Sequence, residues 1–583
     1  MSKVALSWEG RSETVRVGCD MENVQRYLKS ASDEEIRLYE RLVSLGMERV
    51  FSKYLAEASH EALERFFCDL RSVDFEEVQR HRALLKDGIF EETKGLVPAE
   101  VRMLKNEDLG LLEGVGLESL RSGEWGVVVF AGGQSTRFYE GVVGNTPPKG
   151  LYPVYPIGGF SFLDAFVAHC LKVGLQVGTI PFLILLVSRV TRDAISKWVR
   201  EGDVFGFPKQ YIIVLPQGEN PRLDEDGDIV AMPDGRIAFT GDGHGGVYKA
   251  LLKPWDGDGS SVRDALLRFG IKSLVMHNVD NLQARPLEPA RLGFHRHYLN
   301  LFTMSVCRRR GTYEKVGVVV LDRAQNRIKV IEYSMCPKEL QEAVTEDGEP
   351  LFAYGHINTN LVELSAVSAE IKPTVYTGKP FKVGERIVQT STIEYLNQDL
   401  CRILPKERVG IVEVERGEFF WPTKNRRGES SLEETQELIL ETSRKRVARS
   451  GARVEEKAMV EIAPFVGDED IARMGISEGF VIENGANFGL GVPKTRFLGG
   501  FRLASGSSFV MKALRPFGSV LVDMQSRACK AESAPEVVIE DGVEVLADVN
   551  VVMEGGGKLV IRRGRVESRT KWVVRDGDMV IMP

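Results

Sequence analysis

Apolar residues in the N-terminal part of the chain recur three and four positions apart, the spacing of one face of an α-helix. The segments 34–43 and 61–67 show this pattern most clearly. We therefore expect a helical N-terminal region over residues 1–120, with its amphipathic stretch at 20–115. No cluster of catalytic side chains stands out there, so the pattern favours a packing role.

A different pattern begins near residue 121, where short apolar runs alternate with helical stretches. The runs lie at 127–130, 182–187, 211–214, 274–276 and 316–321. This alternation is typical of an α/β domain, and it predicts a doubly wound, Rossmann-like central sheet within residues 121–450. Ligands of such sheets bind beyond the carboxyl ends of the strands, so the loops after these runs are the first candidates for a site.

The pattern of apolar and polar residues changes again in the last part of the chain. Residues 429–448 read as a charged helix, whereas segments 536–546 and 557–566 show alternating apolar residues punctuated by glycine. We expect a small C-terminal domain at 451–583 that is β-rich after about residue 495 and resembles a β-helix or β-roll. The spacing is too irregular to define a repeat.

The composition of the chain argues against two classes of protein, nucleic-acid-binding proteins and membrane proteins. A chain of 583 residues exceeds one hydrophobic core, and a net charge of −7 without a sustained Lys/Arg block argues against nucleic-acid binding. The longest apolar run, 180–187, is too short to span a bilayer, so no membrane partner is expected. Seven scattered cysteines and an N-terminus without an apolar stretch favour a cytoplasmic protein with reduced thiols. Composition leaves monomer and homo-oligomer equally open.

The most informative segment is 131–150, AGGQSTRFYEGVVGNTPPKG, which follows the apolar run at 125–130. Glycines after a strand allow backbone N–H groups to approach a ligand closely, and Arg137 and Lys149 supply two cations. Backbone donors with two cations are what a triphosphate requires. The Rossmann and P-loop glycine patterns are absent, and the alternative is an ordinary glycine-rich turn with surface charges.

This segment resembles the loop of the UTP-dependent sugar-1-phosphate uridylyltransferases, which reads G-G-x-G-T-R-L followed by P-K-G. The resemblance is greatest to the UDP-N-acetylhexosamine pyrophosphorylases, with the UDP-glucose pyrophosphorylases as near relatives. Here Ser135 replaces the third glycine, Phe138 replaces the leucine, and the Arg137–Lys149 spacing is longer. Further motifs of the family follow in the same order over about residues 100–450.

The resemblance implies which residues bind the nucleotide. Gln217, in 215–224, matches the position that reads uracil, and its amide offers the donor and the acceptor that this base edge needs. Asp280 matches the aspartate that holds Mg²⁺, with Mn²⁺ as a substitute, although an aspartate after a strand is also a common helix cap. The implied nucleotide-binding residues are Ala131, Gly132, Gly133, Gln134, Ser135, Thr136, Gln217, Gly243 and His244.

The sugar end is implied by weaker elements. The sugar-binding candidates are Gly317, Glu332, His356 and Asn358. His244 and the segment 358–360 match the glucose branch, whereas the Glu-Tyr-Ser sequence at 332–334 matches the acetamido branch. Lys424 matches a phosphate-binding lysine. The family's second lysine has no clear counterpart, and Lys382, Arg386 and Glu394 stay open as substitutes.

The reaction implied is UTP + sugar 1-phosphate ⇌ UDP-sugar + pyrophosphate, with Arg137, Lys149 and Lys424 as the catalytic residues. N-Acetylglucosamine 1-phosphate is the favoured sugar substrate. A UDP-glucose or broad-specificity UDP-sugar pyrophosphorylase is the alternative. A weakly active sugar-nucleotide binding or regulatory protein is the competing class, since Ser135 and the missing second lysine depart from the enzyme pattern.

Overall fold

We describe the protein from a computed structural model, which describes residues 22–87, 95–133, 135, 137–140, 142, 146–255 and 259–582. The chain divides into two compact units. The first comprises Met1–Glu92, Gln217–Ala250 and Ser368–Asp399, and the second comprises Thr93–Pro216, Leu251–Val367 and Leu400–Pro583. The boundaries expected from sequence near residues 120 and 450 stay predictions.

The helices of the described residues are α1 (Glu22–Leu28), α2 (Asp33–Ser44), α3 (Arg49–Tyr54), α4 (His60–Leu70), α5 (Phe75–Asp87), α6 (Leu109–Arg121), α7 (Phe162–Val177), α8 (Arg189–Glu201), α9 (Gly246–Leu252), α10 (Val262–Arg268), α11 (Pro289–His297), α12 (Lys338–Gln341), α13 (Arg416–Phe419), α14 (Leu432–Arg449) and α15 (Asp468–Ala472). None of them is both long and apolar enough to cross a membrane.

The strands are β1 (Leu96–Pro98), β2 (Arg102–Met103), β3 (Trp125–Phe130), β4 (Phe182–Val187), β5 (Ile212–Pro216), β6 (Glu219–Pro221), β7 (Leu223–Asp224), β8 (Phe239–Gly241), β9 (Ser273–Asn278), β10 (Phe302–Arg308), β11 (Gly317–Asp322), β12 (Arg327–Ile331), β13 (Tyr354–Glu363), β14 (Thr374–Val383), β15 (Arg386–Glu394), β16 (Val409–Glu413), β17 (Arg453–Val454), β18 (Met459–Ile462), β19 (Phe480–Ile482), β20 (Asn487–Gly491), β21 (Lys494–Phe497), β22 (Phe501–Leu503), β23 (Ser508–Ala513), β24 (Ser519–Val522), β25 (Cys529–Glu532), β26 (Glu536–Ile539), β27 (Val543–Val545), β28 (Val549–Met553), β29 (Lys558–Ile561), β30 (Gly564–Val566), β31 (Thr570–Val574) and β32 (Met579–Met582).

The first unit packs α1–α5 around an apolar core, as the helical spacing predicts. Phe51, Phe66 and Phe67 are fully buried in it and contact one another at ring-centroid distances of 5.5 to 6.2 Å. Ser32 caps α2 by accepting the Glu35 N–H, while the Glu35 carboxylate accepts the Ser32 N–H, a reciprocal capping box. Leu223 and other apolar residues from near β7 complete the same core.

The prediction of helix throughout 20–115 is wrong at residues 96–103. There β1 pairs antiparallel with β11, and β2 adds a parallel edge to β16. Strands of two and three residues are too short to show an alternation of apolar and polar residues. Their hydrogen-bond partners lie hundreds of positions away in sequence. The helical pattern resumes at α6.

The second unit is built on a mixed central sheet with the order β2-β16-β10-β13-β9-β3-β4-β5, joined at β13 by β11, which also pairs with β1 and β12. The predicted apolar runs are confirmed as β3, β4, β5, β9 and β11. Strands β9, β3, β4 and β5 are parallel, whereas β13 runs antiparallel between β9 and β10.

The C-terminal region forms three parallel sheets, with the orders β17-β19-β22-β27-β30, β18-β20-β23-β28-β31 and β21-β26-β29-β32. This arrangement is a three-sided β-helix, and it confirms the β-rich C-terminal prediction. Several neighbouring coils are 21 positions apart, since residue 480 pairs with 501 and residue 543 with 564, whereas the first interval is longer, since residue 459 pairs with 487. The hairpin β24–β25 is inserted into one coil, which stretches the next interval and hides the repeat in the sequence.

The β-helix attaches to the sheet part of its unit through two buried polar side chains. Arg527, beside the hairpin, donates to the carbonyl oxygens of Gly123, Ile180 and Phe269. Glu461 of β18 accepts the N–H groups of Ile157 at 2.7 Å and Gly158 at 2.6 Å. The β-helix therefore braces the segment that follows Lys149.

Candidate functional site

Two parallel strands, β3 and β9, bring the glycine-rich loop and Asp280 to the same edge of the sheet. Phe130 at the end of β3 pairs with Asn278 at the end of β9. Asp280 follows β9 by two residues, and residue 131 begins the glycine-rich loop. The topology thus places the start of the glycine-rich loop and a carboxylate at one sheet edge, where ligands of parallel α/β sheets bind.

Asp280 lies between two lysines that the sequence assigns to phosphate binding. Its Oδ2 accepts hydrogen bonds from Lys149 Nζ at 3.0 Å and from Lys424 Nζ at 2.9 Å. Burial by itself raises the pKa of the Asp280 carboxyl, but the charges of Lys424 and Lys149 outweigh it and hold that pKa well below its usual value. The carboxylate is therefore ionised, and it gathers two cations from distant segments.

The second oxygen of Asp280 fits a cation ligand. Asp280 Oδ1 is buried and has no hydrogen-bond partner among the described residues. A buried carboxylate oxygen without a donor is costly, and a hard divalent cation prefers oxygen ligands of this kind. The donor chemistry at Asp280 thus suits Mg²⁺ or Mn²⁺.

A second acidic group is less suited to a metal. Asp224, Asp226 and Asp228 have ligand atoms within 4.8 Å of one another. Lys53 Nζ lies 2.6 to 2.8 Å from a carboxylate oxygen of each of them. Because an ammonium group already compensates these charges, the cluster reads as a structural ion-pair network of the first unit.

The glycine-rich loop leaves β3 through Ala131, whose N–H donates to the Leu186 carbonyl at 2.8 Å. A Cβ added at Gly133 would meet no atom within 4 Å, so the backbone is open to a ligand there. Ser135 has a φ of 54°, the left-handed region that suits the glycine of the family pattern. Arg137 is exposed in the turn that follows. Gln134 and Thr136 lie outside the described residues.

The base-reading candidates Gln217, Gly243 and His244 lie in the first unit. The Gln217 amide rests on Gly241, where an added Cβ would come within 1.7 Å of Nε2. The Asn397 N–H donates to His244 Nδ1 at 3.1 Å. Because Nδ1 accepts this bond, a neutral His244 ring carries its proton on Nε2, which is then a donor. The two predicted segments are thus brought together within this unit.

Glu77 on α5 is a residue that the sequence did not single out. Its buried carboxylate accepts from Tyr395 Oη at 2.6 Å and from Lys249 Nζ at 2.6 Å. The Tyr395 carbonyl in turn accepts the Gly245 N–H, directly beside His244. The helical region therefore supports the backbone of the His244 loop, beyond the packing role expected from its pattern.

The sugar candidates Gly317, Glu332 and His356 are brought together in the second unit. Gly317 of β11 pairs with His356 of β13. A Cβ on Gly317 would come within 2.8 Å of Val330 Cγ1 and 3.2 Å of the Glu332 carboxylate, so a larger residue would displace these side chains. The geometry confirms that three motifs distant in sequence are neighbours, while their role in sugar binding stays a prediction.

A chain of side-chain hydrogen bonds continues from His356 along β13. Its Nε2 bonds with Asn360 Oδ1 at 2.9 Å, and burial lowers the pKa of His356 to about 4, so the ring is neutral. Asn360 Nδ2 donates to Asn358 Oδ1 at 3.4 Å, and Asn358 Nδ2 donates to Asn278 Oδ1 at 2.8 Å. Asn358 has a φ of 51° at a bulge, a conformation that asparagine tolerates.

Residues 103–463 match the family model described as UTP–glucose-1-phosphate uridylyltransferase, and the chain belongs to this family. It is 28% identical over 374 residues to the UDP-N-acetylglucosamine pyrophosphorylase of Saccharomyces cerevisiae, covering 60% of this chain and 75% of that protein. It is 24% identical to the UDP-N-acetylglucosamine diphosphorylase 2 of Arabidopsis thaliana, over 67% of this chain and 80% of that one.

Solved structures share the fold. The uridine diphosphate N-acetylglucosamine pyrophosphorylase of Trypanosoma brucei matches with a TM-score of 0.57 and 19% identity, over 77% of this chain and 91% of that one. A variant UDP-glucose pyrophosphorylase of Leishmania major, in complex with UDP-glucose, matches with a TM-score of 0.52 and 14% identity, over 89% and 97%. These likenesses support the architecture of a central mixed sheet with a β-rich C-terminal region.

The ion triad of Asp280, Lys149 and Lys424 generates a stability prediction. Asp280→Asn leaves Lys149, whose side chain is 7% exposed, without its countercharge, and we expect a loss of about 3 kcal/mol in the free energy of unfolding. Urea denaturation followed by tryptophan fluorescence measures it. As a control, Glu441→Gln removes an exposed ion pair with Lys445 and should leave the unfolding midpoint nearly unchanged. Equal midpoints for both variants and the wild type would rule out a stabilising triad.

Proposed function

We propose that this protein is a uridylyltransferase that makes a UDP-sugar and pyrophosphate from UTP and a hexose 1-phosphate. The observation that carries the proposal is the convergence of Lys149 and Lys424 on Asp280, at the strand edge where the glycine-rich loop begins. Two cations beside a backbone cradle suit the transfer of a nucleotidyl group between two phosphate-bearing substrates. Family membership supports the same reaction class.

The reaction is an in-line attack of a sugar-phosphate oxygen on the α-phosphorus of UTP, with pyrophosphate leaving. Arg137 and Lys149 hold the triphosphate and the leaving pyrophosphate, and Lys424 holds the incoming sugar phosphate. The backbone of Ala131, Gly132, Gly133 and Ser135 binds the phosphates, and Gln134 and Thr136 are nucleotide-binding candidates from the sequence alone. Catalysis then rests on positioning and on offsetting charge in the transition state.

A divalent cation at Asp280 completes the proposal. Asp280 would hold Mg²⁺ or Mn²⁺ through its Oδ1, the oxygen without a partner among the described residues. When bound, the cation offsets the negative charge of the phosphate oxygens. Lys149 and Lys424 already contact the other oxygen, Oδ2, so they keep the carboxylate ionised.

Uracil is read by Gln217, and the sugar is read by the Gly317–Glu332–His356–Asn358 group. A side-chain amide pairs with both the donor and the acceptor of the uracil edge. Gly243 and His244 lie in the connection between β8 and α9, and His244 Nδ1 accepts the Asn397 N–H, which leaves Nε2 to act as a donor. N-Acetylglucosamine 1-phosphate is the proposed sugar substrate, because the matching relatives include a UDP-N-acetylglucosamine pyrophosphorylase and a UDP-N-acetylglucosamine diphosphorylase.

Glucose 1-phosphate is the second candidate substrate. The observation that favours it is the mixed segment 356–360, in which His356 stands where the acetamido branch has asparagine and 358–360 follow the glucose pattern. A pocket that admits an acetamido group excludes a hydroxyl only weakly, by about 1–3 kcal/mol.

We also propose that the protein is cytosolic, because the described cysteines are all free thiols. Cell fractionation tests this location.

The proposed phosphate cations give the first activity prediction. Arg137→Ala and Lys149→Ala should each lower kcat/KM by about a hundredfold or more, because a fixed positive charge is lost where negative charge develops. Pyrophosphate release from UTP and sugar 1-phosphate is the assay. Lys445→Ala, an exposed lysine on α14, is the control that should keep full activity. Near-wild-type turnover in both site variants would remove them from the site.

The proposed metal gives a second prediction. Activity should vanish in EDTA and return with Mg²⁺ or Mn²⁺, since oxygen ligands of the Asp280 type select hard divalent ions. The measurement is turnover in chelator-treated buffer with each ion added back. Full turnover without any divalent ion would contradict the role of Asp280.

The substrates give a third prediction, which also tests the proposed function as a whole. UTP should be used with N-acetylglucosamine 1-phosphate, and ATP should be a poor replacement because its base lacks the edge that Gln217 matches. The assay is kcat/KM for a panel of glucose, galactose, N-acetylglucosamine and N-acetylgalactosamine 1-phosphates. If glucose 1-phosphate wins by more than about tenfold, or roughly 1.4 kcal/mol, the glucose branch is right. Binding without any turnover would favour the regulatory class.

A further inference from the structure

Three aromatic rings form a cluster that contacts Lys149 through Phe138, and we call Phe138, Tyr139 and Tyr152 the aromatic box. Phe138 is fully buried and packs edge-to-face on Tyr139 at 4.9 Å and on Tyr152 at 5.1 Å between centroids. Tyr139 and Tyr152 are 6.4 Å apart, also edge-to-face. These are favourable geometries for aromatic pairs, so the box is a preformed surface of π-faces.

The guanidinium of Arg426 lies against all three rings of the box. Its Cζ is 5.7 Å from the Phe138 centroid, 6.0 Å from Tyr139 and 5.4 Å from Tyr152. Arg426 Nη2 also donates to Tyr152 Oη at 3.3 Å. A planar cation attracted to several ring faces is held more firmly than by one contact, because each face adds electrostatic attraction.

The box joins the three segments that carry the proposed catalytic cations. Phe138 directly follows Arg137, and Arg426 stands two positions after Lys424. Tyr152 stands three positions after Lys149, and Lys149 Nζ itself lies 5.3 Å from the Phe138 ring centroid. A single cation–π cluster therefore fixes the spacing between the loop after β3 and the segment before α14.

This arrangement gives a reason for a departure from the family loop pattern. That pattern has leucine at the position of Phe138, and leucine fills volume but offers no π-face to a cation. Phe138 is the central ring, since it contacts both tyrosines, Lys149 and Arg426. Phe138, which replaces the family's leucine, and Arg426 therefore act as a coupled pair in this chain.

We propose that Arg426 is a positioning residue that aligns Lys424 with Arg137 through the aromatic box. The inference rests on the proposed function, in which Arg137 binds UTP and Lys424 binds the sugar phosphate. When the Arg426 side chain is removed, Arg137 still binds UTP and Lys424 still binds the sugar phosphate. The distance between these two cations is then no longer fixed. In-line attack depends on that separation, so the loss falls on turnover and spares binding.

The experiment compares Arg426→Met, which keeps the apolar stem, with Arg426→Lys, which keeps the charge. We expect kcat to fall by about tenfold or more in Arg426→Met, while the Kd for UTP measured by titration calorimetry changes by less than about threefold. Arg426→Lys should recover part of the lost kcat, because an ammonium still attracts ring faces but lacks the planar fork. Arg427→Met, at an exposed neighbour, is the matched control and should match the wild type.

A double-mutant cycle with Phe138→Leu tests the coupling. The two residues act as one unit, so the double variant should be no slower than about twice the slower single variant. Phe138→Leu keeps most of the apolar side-chain volume. If Arg426→Met does not show a cooperative unfolding transition, the kcat of Phe138→Leu tests the inference instead. Independent, multiplying effects of the two substitutions would mean that Arg426 acts directly on substrate, which overturns the positioning role.

The outcomes separate this inference from the function on which it rests. A wild-type chain that releases no pyrophosphate with any substrate of the panel overturns the proposed uridylyltransferase, and with it the reaction that Arg426 serves. An active wild type with unchanged kcat in both Arg426→Met and Phe138→Leu overturns the inference alone. A rise in the Kd for UTP equal to the fall in kcat/KM also overturns it, because Arg426 would then bind the nucleotide.

Discussion

The candidate site depends on one buried carboxylate, Asp280, and on the two lysines that it holds. Like charges as close as Lys149 and Lys424 repel strongly in a buried site, so their convergence requires the negative charge between them. The carboxylate also ties together the end of β9, the segment after the glycine-rich loop and the segment before α14. In the proposed function, the cations of the phosphate site are therefore in place before any substrate arrives.

The first unit uses the same principle with a different carboxylate. Glu77 on α5 accepts hydrogen bonds from Lys249 and Tyr395, and the Tyr395 backbone holds Gly245 in the His244 loop. Lys249 Nζ also lies 4.0 Å from the Tyr395 ring centroid, so charge and aromatic surface act together there as in the aromatic box. A buried, fully bonded polar network of this kind specifies one loop conformation, because any alternative leaves a charge unpaired. The helical region thus contributes to the geometry of a ligand-binding candidate.

Departures from the family pattern have local physical explanations. Ser135 occupies the left-handed backbone region of the glycine that it replaces, at the cost that this region imposes on residues with a Cβ. Phe138 supplies the central ring on which Lys149 and Arg426 rest. His356, which stands at an asparagine position of the acetamido branch, is neutral and bonded to Asn360, so it behaves there as a polar, uncharged group.

The sequence by itself predicted the central strands and singled out Lys149, Asp280 and Lys424 as candidates, because apolar runs are local signals and the loop motifs resemble those of a known family. Tertiary structure alone decided that Asp280 meets lysines 131 and 144 positions away, and that Phe138 meets Arg426. Glu77 and Arg426 look like ordinary charges on a helix and in a loop, and only the fold shows their partners. The strands at 96–103 and the 21-position coil were hidden for related reasons: two or three residues show no period, and an inserted hairpin breaks one. Patterning reports which face of a segment is buried, whereas the partner across that face is set by how the whole chain closes.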